Sequence, residues 1–130
     1  NIMKIEVSIG EVVDKITILQ IKKEKIVDVL KLEHIQKELV VLENTVAESK
    51  IEVPLNLIEK LKDVNLKLWE AEDVIRDREN KNLFDDEFVE CARLDAKLND
   101  KRFLIKNEIN NTCESNIKEQ KSYEGLYSAN

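Results

Sequence analysis

The sequence predicts an all-α fold, an antiparallel four-helix bundle of long helices with a short amino-terminal strand and an irregular carboxy-terminal tail. Three observations carry that expectation. Two glycines and one proline in 130 residues leave too little turn chemistry for a sheet-rich protein. A charged fraction of 37% beside a hydrophobic fraction of 42% suits elongated helices with wide solvated faces. Apolar residues recur at spacings of three and four over long runs, the period of a helix with one buried stripe. The length is that of a single domain spanning 1–130.

The first helix opens at Ser8, followed three residues later by Glu11. This is a capping box, in which the Ser8 hydroxyl accepts from the Glu11 amide and the Glu11 carboxylate reaches back to the Ser8 amide. At 100° per residue, Val12, Ile16, Leu19 and Ile26 share one face with Val13 at its edge, while Ile18 and Ile21 lie nearly opposite. A helix apolar on two sides is covered from two directions, so it is expected inside the assembly. Asp14 lies on that second side, where a desolvated carboxylate needs a cationic or hydrogen-bonding partner.

Ahead of this helix, Met3 to Val7 alternates apolar and polar residues and predicts a short strand, with Ile51-Glu52-Val53 as its partner. The stripe Leu19, Ile26, Leu30 fails at Glu33 and Lys37 and restarts as Leu32, Ile35, Leu39, Leu42 and Val46. A turn is therefore expected near Val27 and Asp28, with Asp28 capping a second helix that ends near Ser49. Pro54 fits a first-turn proline, and the third helix, from about Leu55 to Glu79, carries a heptad seam of Leu57, Leu61, Val64, Leu68, Ala71 and Ile75. Asp85 caps the fourth helix, which runs to about Thr112, and the group Asp85, Asp86, Glu87 complements its positive end. The tail carries Tyr123 and Tyr127, expected to dock back on the helices.

Several function classes fall away. A net charge of −6 argues against nucleic acid, because phosphate neutralisation needs clustered Lys and Arg in excess; Lys22, Lys23 and Lys25 are interleaved with acids and read as a solvated face. No apolar run approaches a membrane span and no signal-peptide pattern is present, so a cytoplasmic protein is expected. His34 stands alone, no glycine-rich phosphate loop exists, and neither a metal nor a cofactor is expected. Cys91 and Cys113 fall 22 positions apart on one predicted helix, about 33 Å along its axis, and cannot pair with each other.

Polar residues at core positions are the feature that carries chemistry. Asn65, Trp69, Glu72 and Arg76 stack along the third helix at spacings of four, three and four; Asp95, Asn99, Arg102 and Lys106 stack along the fourth. Facing each other, with Asp14 and Lys15 nearby, these stripes form either a cleft that binds a small anionic ligand through Arg76 and Arg102 with Trp69 as a stacking wall, or an internal network that sets helix register. Glu70-x-x-Asp73 and Glu87-x-x-Glu90 are similar, in reversed order, to the paired acidic motifs of all-helical nucleotide pyrophosphohydrolases. A chorismate-mutase-like site is a further enzymatic alternative, weakened by the lack of arginine in the first two helices.

Glu6-Val7-Ser8, Gly10-Glu11 and the run Asp14 to Leu19, with Val64-Asn65, Leu68-Trp69, Glu72-Asp73, Ile75-Arg76, Phe84-Asp85, Ala92-Arg93, Asn99-Asp100, Ile109-Asn110 and Lys121-Ser122-Tyr123, resemble a family of small, functionally uncharacterised bacterial proteins. The resemblance spans nearly the whole chain. Ala96-Lys97 departs from it, where the family carries an aromatic in the middle of the fourth helix. It implies relatives and not a mechanism. The reading of the residues is a non-enzymatic binding or assembly module, expected to be a homodimer through the seam of the third helix and the second apolar side of the first.

Overall fold

In a computed structural model, which describes residues 1–114, 120–122 and 125, the chain forms four helices: α1 (Ile9–Lys25), α2 (Val29–Ser49), α3 (Leu55–Asn80) and α4 (Asp86–Thr112). Their starts are set locally. The Ser8 hydroxyl accepts from the Glu11 amide at 3.2 Å, Asp28 Oδ1 from the Lys31 amide at 3.1 Å, and Asp85 Oδ1 from the Phe88 amide at 2.9 Å. Each cap satisfies one of the amides a helix start leaves without an intrahelical partner. The break between α1 and α2 falls at Ile26 to Asp28, where the phase of the apolar stripe changes.

The end of α3 uses a device that glycine usually supplies. Asn82 takes a positive φ of 52°, the Leu83 amide donates to the Arg78 carbonyl at 2.9 Å, and the Asn82 amide donates to the Glu79 carbonyl at 3.1 Å, a Schellman closure. Arg78 then ties the turn to α4, pairing with Asp77, Asp85 and Glu87. The edge-to-face contact of Phe84 and Phe88, 5.3 Å between centroids, closes the same corner.

α1 lies between two apolar layers. On one side Val13 packs with Leu57, Leu61, Val64 and Leu68 of α3 and with Leu98, Ile105 and Ile109 of α4. On the other, Ile16 and Leu19 meet Ile35 and Leu39 of α2, flanked by Val12, Ile26, Leu42 and Val46. Among the described elements α2 touches only α1, whereas α3 and α4 pack on each other and on α1. The expectation that α1 is covered from two directions therefore holds, and Val13 belongs to the α3–α4 side.

Two expectations change. Residues 1–7 and 51–53 form no strand; Ile2, Met3 and Ile5 are exposed, while Val53 packs on the core and the Glu52 carbonyl faces the Cys113 thiol at 3.8 Å. With one candidate strand docked on the core, no helix-covered ribbon forms, and an uncovered pair of so few residues is not stable in water. The seam of α3 and the second side of α1, which had motivated a homodimer, are covered within the chain. Among the helices, α2 carries exposed apolar side chains at Val29, Leu30 and Val41. Both cysteines are free thiols, and partial burial raises the Cys113 thiol above the ordinary range. Tyr123 and Tyr127 lie outside the described residues. Among the described residues no helix is long and apolar enough to cross a membrane.

Candidate functional site

Gly10, Asp14, Thr17 and Ile21 recur at spacings of four, three and four, so they share the face of α1 that meets α3 and α4. Asp14 on this face is only 1% exposed. Taking a carboxylate out of water is costly unless its oxygens are fully bonded, and here they are. Arg102 Nε donates to Asp14 Oδ1 at 2.8 Å and Arg102 Nη2 donates to Oδ2 at 2.5 Å, the planar fork that guanidinium and carboxylate share. Asn65 Nδ2 donates to Asp14 Oδ1 and to Thr17 Oγ1, both at 2.9 Å, and the Thr17 hydroxyl donates to the Asp14 carbonyl at 2.8 Å. One side chain from each of α3 and α4 thus converges on a single buried carboxylate of α1.

One turn along α1 the contact with α4 tightens. The Gly10 amide donates to Asn110 Oδ1 at 2.7 Å, and a Cβ at position 10 would stand 2.5 Å from the Lys106 carbonyl oxygen. Only a residue without a side chain permits that approach. It brings Glu11 beside Lys106, whose ammonium, on a side chain 7% exposed, pairs with Glu11 Oε2 at 2.8 Å. The carboxylate expected to close the capping box onto Ser8 is thus engaged by α4.

A cleft of about 240 Å³ opens beside this pair, lined by Glu11, Asn99, Arg102, Phe103, Lys106 and Lys121. Lys121 Nζ stands 5.6 Å from the centroid of the Phe103 ring, within cation–π range. Three cationic side chains in one small cleft contrast with the acidic balance of the whole chain.

Farther along α3 and α4 the network continues through acids. Asn99 Nδ2 donates to the Asp95 carbonyl at 3.1 Å and to Asp95 Oδ2 at 3.4 Å, while Asp95 Oδ1 has no hydrogen-bond partner. The Glu72 carboxyl is pushed above its ordinary value, first by partial burial and then by the Asp95 charge, with Arg76 and Arg102 pulling it back. The expected facing of the two polar stripes is therefore what brings Asn65, Glu72, Arg76, Asp95, Asn99 and Arg102 into one electrostatic neighbourhood with Asp14.

Lys15 does not join it. One position from Asp14 turns the side chain by about 100°, and Lys15 points to α2, 3.6 Å from Glu38. Trp69 is half-buried and Arg76 exposed, and neither lines the cleft. In place of the expected Arg76 and Trp69, the cleft is bordered by Lys106 and Phe103. Lys106 was visible in the α4 stripe, but Glu11 reads locally as a cap, and Phe103 and Lys121 carry no spacing signal. Among the described residues no three His, Cys, Asp or Glu side chains are grouped to hold a metal ion.

Comparison with curated proteins and with solved structures returned no match. A family model matches residues 3–130, which takes in α1 to α4 and every residue of the cleft. The chain belongs to the family of unknown function DUF6165.

Proposed function

We propose that this protein is a non-enzymatic, cytoplasmic binding module of one domain that holds a small anionic ligand in the cleft between α1 and α4. The observation that carries the reading is the convergence of Arg102, Lys106 and Lys121 on a single 240 Å³ opening, in a protein whose net charge is −6. Field lines from clustered charge focus in a cleft with low-dielectric walls, so a basic cleft draws anions despite the acidic balance of the chain. The helices run antiparallel in this reading, supported by the contact order: positions 10, 11 and 14 of α1 meet 110, 106 and 102 of α4.

The role of Asp14 is to hold Arg102 in place, and Asn65 and Thr17 hold Asp14. Such support around a charged group is what a preorganised anion site needs. The test is calorimetric titration with inorganic phosphate at low ionic strength. Lys106→Met keeps the buried stem and removes the charge, and is expected to weaken binding at least about tenfold, the scale of one lost charge-assisted hydrogen bond. Absence of phosphate binding in the native protein, or equal binding by the variant, would sink the reading.

Self-association belongs to the same proposal. Val29, Leu30 and Val41 on α2 give a second copy an apolar strip to cover, on a helix that only α1 touches. A dimer mass by light scattering at micromolar concentration is the expected result; a monomer mass would remove this part.

A further inference from the structure

We infer that residues 3–7 form an antiparallel β-ribbon with the same residues of a second copy of this chain, centred on Ile5, which seats each arm against an apolar groove of the other copy. This rests on the self-association reading and adds to the α2 strip a contact whose register can be stated.

The arm is patterned for pairing and finds no partner within the chain. Met3 and Ile5 are 89% and 74% exposed, and among the described residues positions 1–7 make no backbone hydrogen bond. Met3, Ile5 and Val7 alternate with Lys4 and Glu6, so an extended arm has one apolar face and one charged face. Ser8, which follows, is itself extended, at φ −72° and ψ 154°. Lys4-Ile5-Glu6 holds no Gly, Pro, Asn or Asp to reverse the chain, so nothing in it turns the arm back onto its own domain.

The register selects a second copy. Side chains alternate between faces, so only registers that set apolar residues opposite apolar residues are open. Centred on Ile5, Met3 faces Val7, Ile5 faces Ile5, and Lys4 faces Glu6 in both directions. Moving the centre to Lys4 sets Lys4 against Lys4, and moving it to Glu6 sets Glu6 against Glu6. Opposite charges across a strand pair favour it, whereas like charges directly opposite each other disfavour it. The arm is thus complementary to itself in one register, as an isologous two-fold contact requires.

A ribbon of two short strands needs cover, and the root of the arm supplies it. Val7, Ile9 and Val12 border an apolar groove of about 170 Å³ with Val46 of α2 and Ile51 beyond it. In the Ile5-centred register, Met3 of the second copy arrives beside Val7, at this groove. The volume lies below that of drug-sized sites, and the unbranched thioether side chain of methionine adapts to irregular gaps of this kind. Val41 of the α2 strip lies one turn before Thr45, another residue of the groove, so groove and strip are continuous.

Sedimentation equilibrium of the full chain at micromolar concentration, with circular dichroism as a check on fold, reads the pairing through charge reversal. Lys4→Glu and Glu6→Lys each set like charges opposite each other in the ribbon, on side chains outside the helices. Each is expected to weaken the dimer about tenfold, the scale of two cross-strand pairs turned from attraction to repulsion. Glu6→Lys does so while reducing the net charge of −6, so general repulsion between copies does not account for its loss. The doubly reversed variant, Lys4→Glu with Glu6→Lys, restores the opposite charges and is expected to dimerise as the native chain does, and an equimolar mixture of the two single variants recovers as a heterodimer. A monomeric native chain overturns both the self-association reading and the arm pairing. A native dimer that either single variant leaves unweakened overturns the arm pairing alone and leaves the α2 contact standing. Failure of the doubly reversed variant or of the mixture to recover overturns the Ile5-centred register, and the ribbon with it.

Discussion

Asp14→Ala is expected to lower the unfolding free energy by about 3 kcal/mol, toward the low end of what breaking a buried ion pair costs. The magnitude follows from what remains behind. Asp14 is 1% exposed and its partner Arg102 28% exposed, so the guanidinium keeps some access to water while losing both bonds of its fork. Asn65 keeps only the Thr17 hydroxyl among the acceptors it now holds. Asp14→Asn keeps the shape and one acceptor oxygen and is expected to lose less. Replacing the pair together, as Asp14→Leu with Arg102→Met, is expected to recover part of the loss, because two apolar side chains leave no charge without a partner. Urea unfolding checks all three: the midpoint falls most for Asp14→Ala and less for Asp14→Asn and for the double variant, with the slope unchanged. A single Asp14→Ala variant as stable as the native chain would mean that the carboxylate does not hold α1 to α3 and α4.

Gly10→Ala is expected to cost about 2 kcal/mol, in the range for overpacking a tight contact, and it does so against the direction of helix propensity. Alanine in place of glycine in a solvated helix gains about 1 kcal/mol. Here the added methyl would stand 2.5 Å from the Lys106 carbonyl oxygen and 2.9 Å from Asn110 Oδ1. The nearest atom is backbone, so the side chain cannot turn away and α1 must lift from α4. That lift also stretches the 2.7 Å bond from the Gly10 amide to Asn110 and draws Glu11 away from Lys106. Thermal melting measures the stability loss, and faster amide exchange at the start of α1 locates it. A rise in melting temperature would show that the close approach of α1 and α4 at Gly10 is not what sets their spacing.

The same contact explains what was and was not legible along the chain. The three capping residues Ser8, Asp28 and Asp85 each bond an amide three positions on, so everything those bonds need is present in a short stretch of sequence. The two-sided pattern of α1 and the stripe Asp95, Asn99, Arg102, Lys106 are legible for a similar reason, since the period of one helix decides which residues share a face. Pairings across helices are different. Lys15 lies beside Asp14 in sequence but pairs with Glu38 of α2. Arg78 holds the corner between α3 and α4, and Glu11 reaches Lys106.

By itself, the sequence determined four helices, their starts, and a buried Asp14 in need of a cationic or hydrogen-bonding partner, because helix formation and capping involve groups a few residues apart. Only the tertiary structure decided that Arg102 answers Asp14, that residues 1–7 find no strand partner, and that Glu11 and Lys106 meet at the mouth of a basic cleft. Those outcomes depend on the rotation and axial offset of one helix against another. The Gly10–Asn110 contact helps to set both, joining positions 100 residues apart, a separation over which no local spacing carries information.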